Sequence, residues 1–236
     1  MAPKDFDIKE LADYLHLTLQ QVEKLANRER IPGRRVGGEW RFSEAEIHHW
    51  LENRMGLADD DELAQMENAL ERAAQHDDEE VSLAAKMPIE AVAIPLRART
   101  RAKVITAMTE VAVSTGLLWD PVKMSEAIRT REDMSPTALD NGVALLHPRR
   151  PLPSILGGPL IALGRVDGGV PFGAAGGGLT DLFFLICSMD DRRHLRVLAR
   201  LARLISNDAA LHELRVAADA EEVRNIIVAR EREIAG

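Results

Sequence analysis

The stretch DNGVALLHPRRP, Asp140 to Pro151, combines a strand pattern with a potentially reactive side chain at its end. Four apolar residues, Val143 to Leu146, predict a short buried strand, and His147 follows them directly. Neutral imidazole is a nucleophile near pH 7, so a histidine at a strand end is a candidate reactive group. The alternative is a structural residue at which the strand stops. The elements around His147 decide between these interpretations.

Strands and helices alternate on both sides of this stretch. Buried strands are predicted at Ala91–Leu96, Gly142–Leu146, Leu160–Gly164 and Leu182–Cys187. Helices are predicted at Arg101–Thr115, Met124–Arg131, Leu195–Ile205 and Ala220–Arg230. We therefore predict an α/β sandwich, a mixed sheet flanked by helices, over residues 81–236.

A separate, smaller pattern occupies residues 1–56. Apolar residues from Ile8 to Leu15 recur at helical spacing, and Thr18 with Gln21 forms a capping box for a second helix. Two short extended runs then flank Gly37-Gly38, which is typical of a β-hairpin. A closing helix contains Trp50. Helix, turn, helix, hairpin and helix predict a winged helix-turn-helix domain, so the chain is multidomain.

The charge distribution supports a connector between the two patterns. The net charge is −8, but residues 57–80 alone carry 10 acidic side chains and 1 basic one. Leu63, Met66, Leu70 and Ala73 have heptad spacing over only about two heptads, which is short for a coiled coil. We predict an acidic, helical linker, with a dimerisation helix and hence a homodimer as the alternative.

Composition also limits the cellular setting and the chemistry. The chain has one cysteine, Cys187, and no apolar run of membrane-spanning length. We expect a cytoplasmic protein that has no membrane association and no cofactor. The histidines other than His147 and His194 do not form a ligand set in the sequence, so no metal is predicted. These are His16, His48, His49, His76 and His212.

The first domain resembles the excisionase-like, MerR-related family of DNA-binding proteins. The resemblance rests on DIKELADYLHLTLQQVEKLANRERIPGRRVGGEWRF and the closing HHWLE. It implies that the second helix, Thr18 to Asn27, enters the major groove and that the wing contacts the DNA backbone or the minor groove. DNA is therefore an expected partner, and a winged helix that binds protein is the alternative.

Basic and amide side chains on these elements are the candidates for DNA contact. Residues 28–41 contain five arginines against two glutamates, which favours attraction to phosphate. Amide and amine groups on the second helix could reach base edges. The candidates are Gln20, Gln21, Lys24, Arg28, Arg34, Arg35 and Arg41.

The second domain resembles the enzyme IIA domain of the bacterial phosphotransferase system, of the fructose, mannitol and nitrogen-regulatory type. Arg131-Glu132, Thr137 and NGVALLH, Asn141 to His147, match segments of that family. IALGRVDGGVPFG, LFFLICSMDD and the helix that begins near His194 match its later elements. The resemblance implies a phosphoryl acceptor that receives the group from an HPr-like phosphocarrier protein.

The resemblance also implies roles for individual residues. His147 would be the nucleophile, His194 would contact the phosphoryl group or the imidazole, and Thr137 could donate a hydroxyl hydrogen bond. A transferred phosphoryl group needs fixed donors and cations around it. Arg149 and Arg150, which the family does not clearly assign, could attract a phosphorylated partner.

Three positions depart from the family pattern. Asp140 and Leu146 replace a glycine and a proline, and Pro148 follows the histidine where a small residue is usual. A carboxylate at Asp140 would oppose a phosphoryl group if it lay close to it. The stretch GGVPFGAAGGGLTD lacks the Gly-Lys-Ser/Thr of a phosphate loop, so we expect a mobile loop that borders the site.

These observations favour a DNA-binding transcriptional regulator that is phosphorylated on His147 or that senses phosphotransferase status. One alternative is a phosphocarrier, a histidine phosphotransferase, whose winged helix docks proteins. Another is a degenerate sensor that no longer accepts phosphate.

Overall fold

The computed structural model describes residues 5–15, 17–55, 62–64, 66–67, 70 and 81–235. The chain divides into two compact units, Met1–Glu79 and Glu80–Gly236. His16, Ala73 and His76, with most of the predicted linker, lie outside the described residues. The linker residues that are described, 62–64, 66–67 and 70, are helical. Within the described part of the chain, no helix is long and apolar enough to cross a membrane.

The first unit contains the predicted helix-turn-helix and wing. Its elements are β1 (Asp5–Phe6), α1 (Ile8–Leu15), α2 (Leu19–Asn27), β2 (Arg34–Val36), β3 (Glu39–Ser43) and α3 (Glu44–Met55). The strands form an antiparallel sheet in the order β1-β3-β2. β1 is only two residues long and therefore shows no periodicity from which it could be predicted.

Local hydrogen bonds explain where the first two helices begin. Asp7 Oδ1 accepts hydrogen bonds of 2.8 Å from the backbone N–H groups of Lys9 and Glu10. At α2, Thr18 and Gln21 form the predicted capping box, in which each side chain accepts a hydrogen bond from the other residue's backbone. Both caps satisfy N–H groups that the helix itself leaves without a partner.

The second unit is built on a mixed four-stranded sheet. Its strands are β4 (Val92–Ala93), β5 (Val143–Leu146), β6 (Leu160–Pro171) and β7 (Leu179–Cys187), in the order β4-β6-β7-β5. β4 is parallel to β6, β6 is antiparallel to β7, and β5 is parallel to β7. The flanking helices are α4 (Arg101–Ser114), α5 (Pro121–Met134), α6 (Asp191–Ser206), α7 (Asp208–Val216) and α8 (Ala220–Ala235). The α/β prediction is confirmed.

Individual boundaries differ from the sequence prediction. β4 is two residues long rather than six, and β6 continues past Gly164 to Pro171 through a register shift between Arg165 and Val170. Gly168 and Gly169 lie in this irregular part with positive φ, so the first four residues of the expected glycine-rich loop, 168–171, belong to β6. The helix α7 was not predicted.

Candidate functional site

The sheet topology brings two histidines together at one edge. Parallel strands end at the same edge, so the carboxyl ends of β5 and β7 are neighbours, with Leu146 paired to Leu185. His147 follows β5, and α6 begins shortly after β7, with His194 in its first turns. The two imidazole ring centroids are 4.9 Å apart, and the ring planes are tilted by 56°. Both residues are buried.

The tautomer of His147 follows from its hydrogen bond to the backbone. Its Nδ1 lies 2.8 Å from the carbonyl oxygen of Leu145. A carbonyl can only accept, so Nδ1 carries the proton and donates it. In the neutral ring the lone pair is therefore on Nε2. This contact orients the ring and leaves Nε2 as the nitrogen with an available lone pair in the neutral form.

His194 lies near the positive end of a helix. Asp190 is the N-cap of α6, and its Oδ1 accepts a hydrogen bond of 2.8 Å from the backbone N–H of Arg193. Nδ1 of His194 lies 3.2 Å from the hydroxyl of Ser188, which links the ring to the end of β7. A helix N-terminus favours an anion, although the carboxylates of Asp190 and Asp191 reduce this effect.

Thr137 lies on the segment that pairs with β5. Ala138 bridges Ala144, and the N–H of Leu145 donates to the carbonyl of Thr137 at 3.4 Å. The Thr137 hydroxyl donates to the carboxylate of Glu132, and its backbone N–H donates to the same carboxylate at 3.2 Å. With the hydroxyl proton held by Glu132, a hydrogen bond from Thr137 to a phosphoryl group stays a prediction.

Glu132 is a site residue that sequence patterns alone leave without a predicted role. Its side chain is fully buried, and Oε2 lies 3.3 Å from Nη2 of Arg101 at the start of α4. One carboxylate thus ties α4, α5 and the Thr137 segment together. The Arg131-Glu132 match was the available signal, but no sequence pattern identifies Arg101 as the partner.

The two arginines after His147 are both exposed. Nη1 of Arg150 lies 3.9 Å from Oδ2 of Asp191, the first residue of α6. Arg150 therefore joins the segment after His147 to the helix that carries His194. This separation corresponds to a weak surface ion pair, so the guanidinium can still interact with an anionic partner.

Asp140 lies at the opposite end of β5 from His147, so its carboxylate is not close to the imidazole. The N–H of Gly142 bonds to the carbonyl of Leu139, which makes Asp140 part of a tight turn. About 16 Å of extended chain separates Gly142 from His147. Oδ1 of Asp140 accepts a hydrogen bond of 2.7 Å from the N–H of Gly176. The glycine-rich loop therefore contacts the turn end of β5.

Leu146 and Pro148, the other departures, flank His147 directly. Leu146 is fully buried and paired with β7, so it contributes to the packing and pairing of the sheet.

The single cysteine of the sequence, Cys187, ends β7 and is also buried. Burial raises the pKa of its thiol to about 12, which leaves it protonated and unreactive at neutral pH.

The first unit displays the candidates for DNA contact in two groups. Gln20, Gln21, Lys24 and Arg28 are exposed on or just after α2. The wing arginines make contacts within the unit. Arg34 pairs with Asp5 at 2.5 Å, Arg41 pairs with Glu39 at 2.9 Å, and the guanidinium of Arg35 lies 4.9 Å from the ring centroid of Trp40.

Family comparisons identify both units. Residues 86–229 match the family described as "Phosphoenolpyruvate-dependent sugar phosphotransferase system, EIIA 2", and residues 6–55 match "Helix-turn-helix domain". The first of these matches covers more than half of the chain.

Two curated relatives are similar to this chain over part of their length. The fructose-specific EIIABC component of the phosphotransferase system from Bacillus subtilis is 28% identical over 138 residues, which are 58% of this chain and 21% of the relative. The nitrogen regulatory protein of Bradyrhizobium diazoefficiens is 31% identical over 105 residues, which are 43% of this chain and 66% of the relative. The chain thus spans about a fifth of one relative and just under two thirds of the other.

Solved structures share the fold of the second unit. Nitrogen regulatory protein IIA-Ntr from Neisseria meningitidis has a TM-score of 0.56 at 22% identity, over 61% of this chain and 97% of that one. IIA mannitol from Escherichia coli has a TM-score of 0.52 at 20% identity, over 59% of this chain and 97% of that one. The chain belongs to the EIIA type 2 family of the phosphoenolpyruvate-dependent sugar phosphotransferase system, and it carries this domain together with a helix-turn-helix domain.

Proposed function

We propose that the protein is a DNA-binding transcriptional regulator whose EIIA unit, Glu80–Gly236, accepts a phosphoryl group on Nε2 of His147. The observation that carries the proposal is the histidine pair: the hydrogen bond from Nδ1 to Leu145 leaves the nucleophilic lone pair on Nε2, and a second imidazole lies beside it. Two histidines in this relation fit phosphoryl transfer better than two unrelated structural residues.

The transfer of the phosphoryl group to His147 requires no separate proton acceptor, because no proton leaves the imidazole. The lone pair on Nε2 of His147 attacks the phosphorus, a P–N bond forms, and the bond between phosphorus and the donor phosphocarrier breaks. The donor keeps that electron pair. Positive charge develops on the imidazole, and the Leu145 carbonyl stabilises it through the Nδ1–H.

His194 supports the group after transfer. When the Ser188 hydroxyl donates to Nδ1 of His194, the imidazole proton lies on Nε2 and can be donated to a phosphoryl oxygen. The amino end of α6 adds a favourable field for the anion. Arg149 and Arg150, exposed beside the site, attract an HPr-like phosphocarrier electrostatically.

The winged-helix unit, Met1–Glu79, supplies DNA binding in this proposal. The exposed residues Gln20 and Lys24 on α2 fit groove contact, and the wing with Arg35 fits contact with the phosphate backbone. Phosphorylation of His147 then changes the affinity of the full chain for its DNA site.

The first experiment tests the phosphoryl acceptor. The full chain is incubated with a phosphorylated HPr-like phosphocarrier, and the modified residue is mapped by mass spectrometry. We expect the label on His147, no label in His147→Ala, and a less stable label in His194→Ala. His212→Ala is the matched control, because this histidine lies on α7 outside the pair, and it should behave as wild type.

The second experiment tests DNA binding with a duplex that the protein selects from a randomised library. Affinity is measured with and without phosphorylation and at several salt concentrations. Rapid exchange of phosphate without salt-dependent DNA binding would instead support a phosphocarrier with a protein-docking winged helix. Unmodified His147 would support the degenerate sensor.

A further inference from the structure

The first residues of the EIIA unit are held by side chains from two helices. Nη1 of Arg200, on α6, donates to the carbonyl oxygen of Val81 at 3.3 Å. The Glu231 carboxylate, on α8, accepts hydrogen bonds from the Ser82 hydroxyl at 3.2 Å, from the N–H of Leu83, and from the N–H of Ala84 at 3.0 Å. We name this set, Val81–Ala84 with Arg200 and Glu231, the junction anchor.

The junction anchor fixes a short segment firmly. Glu231 satisfies two successive backbone N–H groups, much as an acidic N-cap does at a helix, and Ser82 accepts from the N–H of Ala85 at 3.1 Å. Leu83 is fully buried just after this turn begins. The contacts join residues nearly 150 positions apart in the sequence, so the start of the unit depends on α8, its last helix.

The same helix that holds Val81 also carries His194. Arg200 is six positions after His194, which is about 9 Å along a straight helix. A phosphoryl group on Nε2 of His147 would place a new anion beside the first turns of α6. There it would interact with the helix dipole and with the imidazole of His194. Because a helix moves as a rigid element, a displacement at its amino end reaches Arg200.

We propose that the junction anchor is the output of the EIIA unit, which passes the phosphorylation state of His147 through α6 to the carboxyl end of the predicted linker, residues 57–80. In this device α6 is the element that responds, and Glu231 on α8 is the fixed point against which Val81–Ala84 are held. The inference rests on the proposed function, because it requires that phosphorylation change DNA affinity.

The test uses the full chain with two substitutions and two matched controls. Glu231→Gln replaces one of the accepting oxygens by an amide nitrogen, and Arg200→Gln removes the donor to Val81. Glu233→Gln, on the same helix but paired with Arg230, and Arg224→Gln, exposed on α8, are the controls. The rate of phosphoryl acceptance at His147 and the affinity for the selected duplex are measured for each protein.

We expect all five proteins to accept phosphate at similar rates. In wild type and both controls, phosphorylation should change DNA affinity by about 5- to 150-fold, the usual range for coupled sites. In Glu231→Gln and Arg200→Gln the ratio should fall towards one. Hydrogen exchange at the Leu83 and Ala84 amides should change on phosphorylation of the wild type, which a purely structural anchor would not show.

The outcomes separate the two proposals. A wild-type ratio that persists in Glu231→Gln and Arg200→Gln, with unchanged exchange at Leu83 and Ala84, overturns the junction anchor alone. Phosphorylation of wild type without any effect on DNA affinity overturns both proposals. Failure of His147 to accept phosphate overturns the proposed function at its first step.

Discussion

The candidate functional side chains are held differently in the two units. On α2 of the winged helix, Gln20 and Lys24 are exposed, whereas His147 and His194 of the EIIA unit are 2% and 4% exposed. Exposed side chains that do not contribute to the core can be substituted without loss of the fold. Buried ones are positioned by networks such as Glu132 with Thr137 and Arg101, so function and stability are linked there.

The largest effect that follows from this contrast should come from Glu132. Replacing Glu132 by alanine removes a fully buried carboxylate and leaves Thr137 and Arg101 without their acceptor, so we expect the EIIA unit to lose about 3 kcal/mol of stability. Urea unfolding measures this loss. The neighbouring Asp133 is 76% exposed and 3.9 Å from Arg101, so Asp133→Ala should change stability by less than about 0.5 kcal/mol. Equal losses in both variants would show that the Glu132 network does not stabilise the unit.

A smaller loss is expected at the capping box of Thr18 with Gln21 in the winged helix. Thr18→Ala removes the side-chain acceptor for the N–H of Gln21, and loss of such a cap costs about 1 kcal/mol. Thermal unfolding of the full chain, followed at the transition of the winged-helix unit, measures it. Thr18→Ser retains the hydroxyl and is the control. A Ser variant as unstable as the Ala variant would contradict the capping explanation.

Lys24 should affect binding while stability stays unchanged. Its side chain is exposed on α2, so Lys24→Ala should leave unfolding as in wild type but weaken DNA binding. If the ammonium contacts a phosphate, the dependence of log affinity on log salt should become shallower by about one. Lys123→Ala, at an exposed position of the EIIA unit, controls for net charge. An unchanged salt slope in Lys24→Ala would remove Lys24 from the DNA contacts.

The smallest effect is expected at Asp140. It lies beyond the turn end of β5, and the distance to His147 exceeds the screening length of about 8 Å at physiological salt. Asp140→Asn should therefore accept phosphate at His147 within about twofold of the wild-type rate under these conditions. A large acceleration in Asp140→Asn would show that this carboxylate does act on the phosphoryl site.

The sequence predicted well what depends on neighbouring residues. The capping box of Thr18 with Gln21, the apolar runs of β5 and β7, and the helix predicted over Leu195–Ile205 all follow from short-range patterns. The position of Asp140 could also have been found this way, because Asn141-Gly142 is a strong turn signal and Gly142 has a φ of +84°. That dipeptide was instead interpreted only as part of a family motif.

Features that depend on residues far apart in the sequence could not be predicted from local sequence patterns. The partnership of Glu132 with Arg101 spans 31 positions, and the contacts of Glu231 with residues 82–84 span almost the whole unit. The full length of β6 could not be predicted either, because Gly168 and Gly169 indicate a loop. Only the pairing with β7, which resumes at Val170 after the irregular part, extends the strand to Pro171. Local propensity gives no information about such pairings.

The parallel pairing of β5 with β7 has a consequence for the order of folding. Segment 137–146 forms a local hairpin, but Val143 reaches its partner Leu182 only after 39 residues of chain have closed. Such long-range pairing is intrinsically slow. We expect that during refolding the ability to accept phosphate returns with the slowest phase, after most helical signal has been regained. Stopped-flow circular dichroism combined with pulsed phosphorylation would show this delay, and simultaneous recovery of both signals would contradict it.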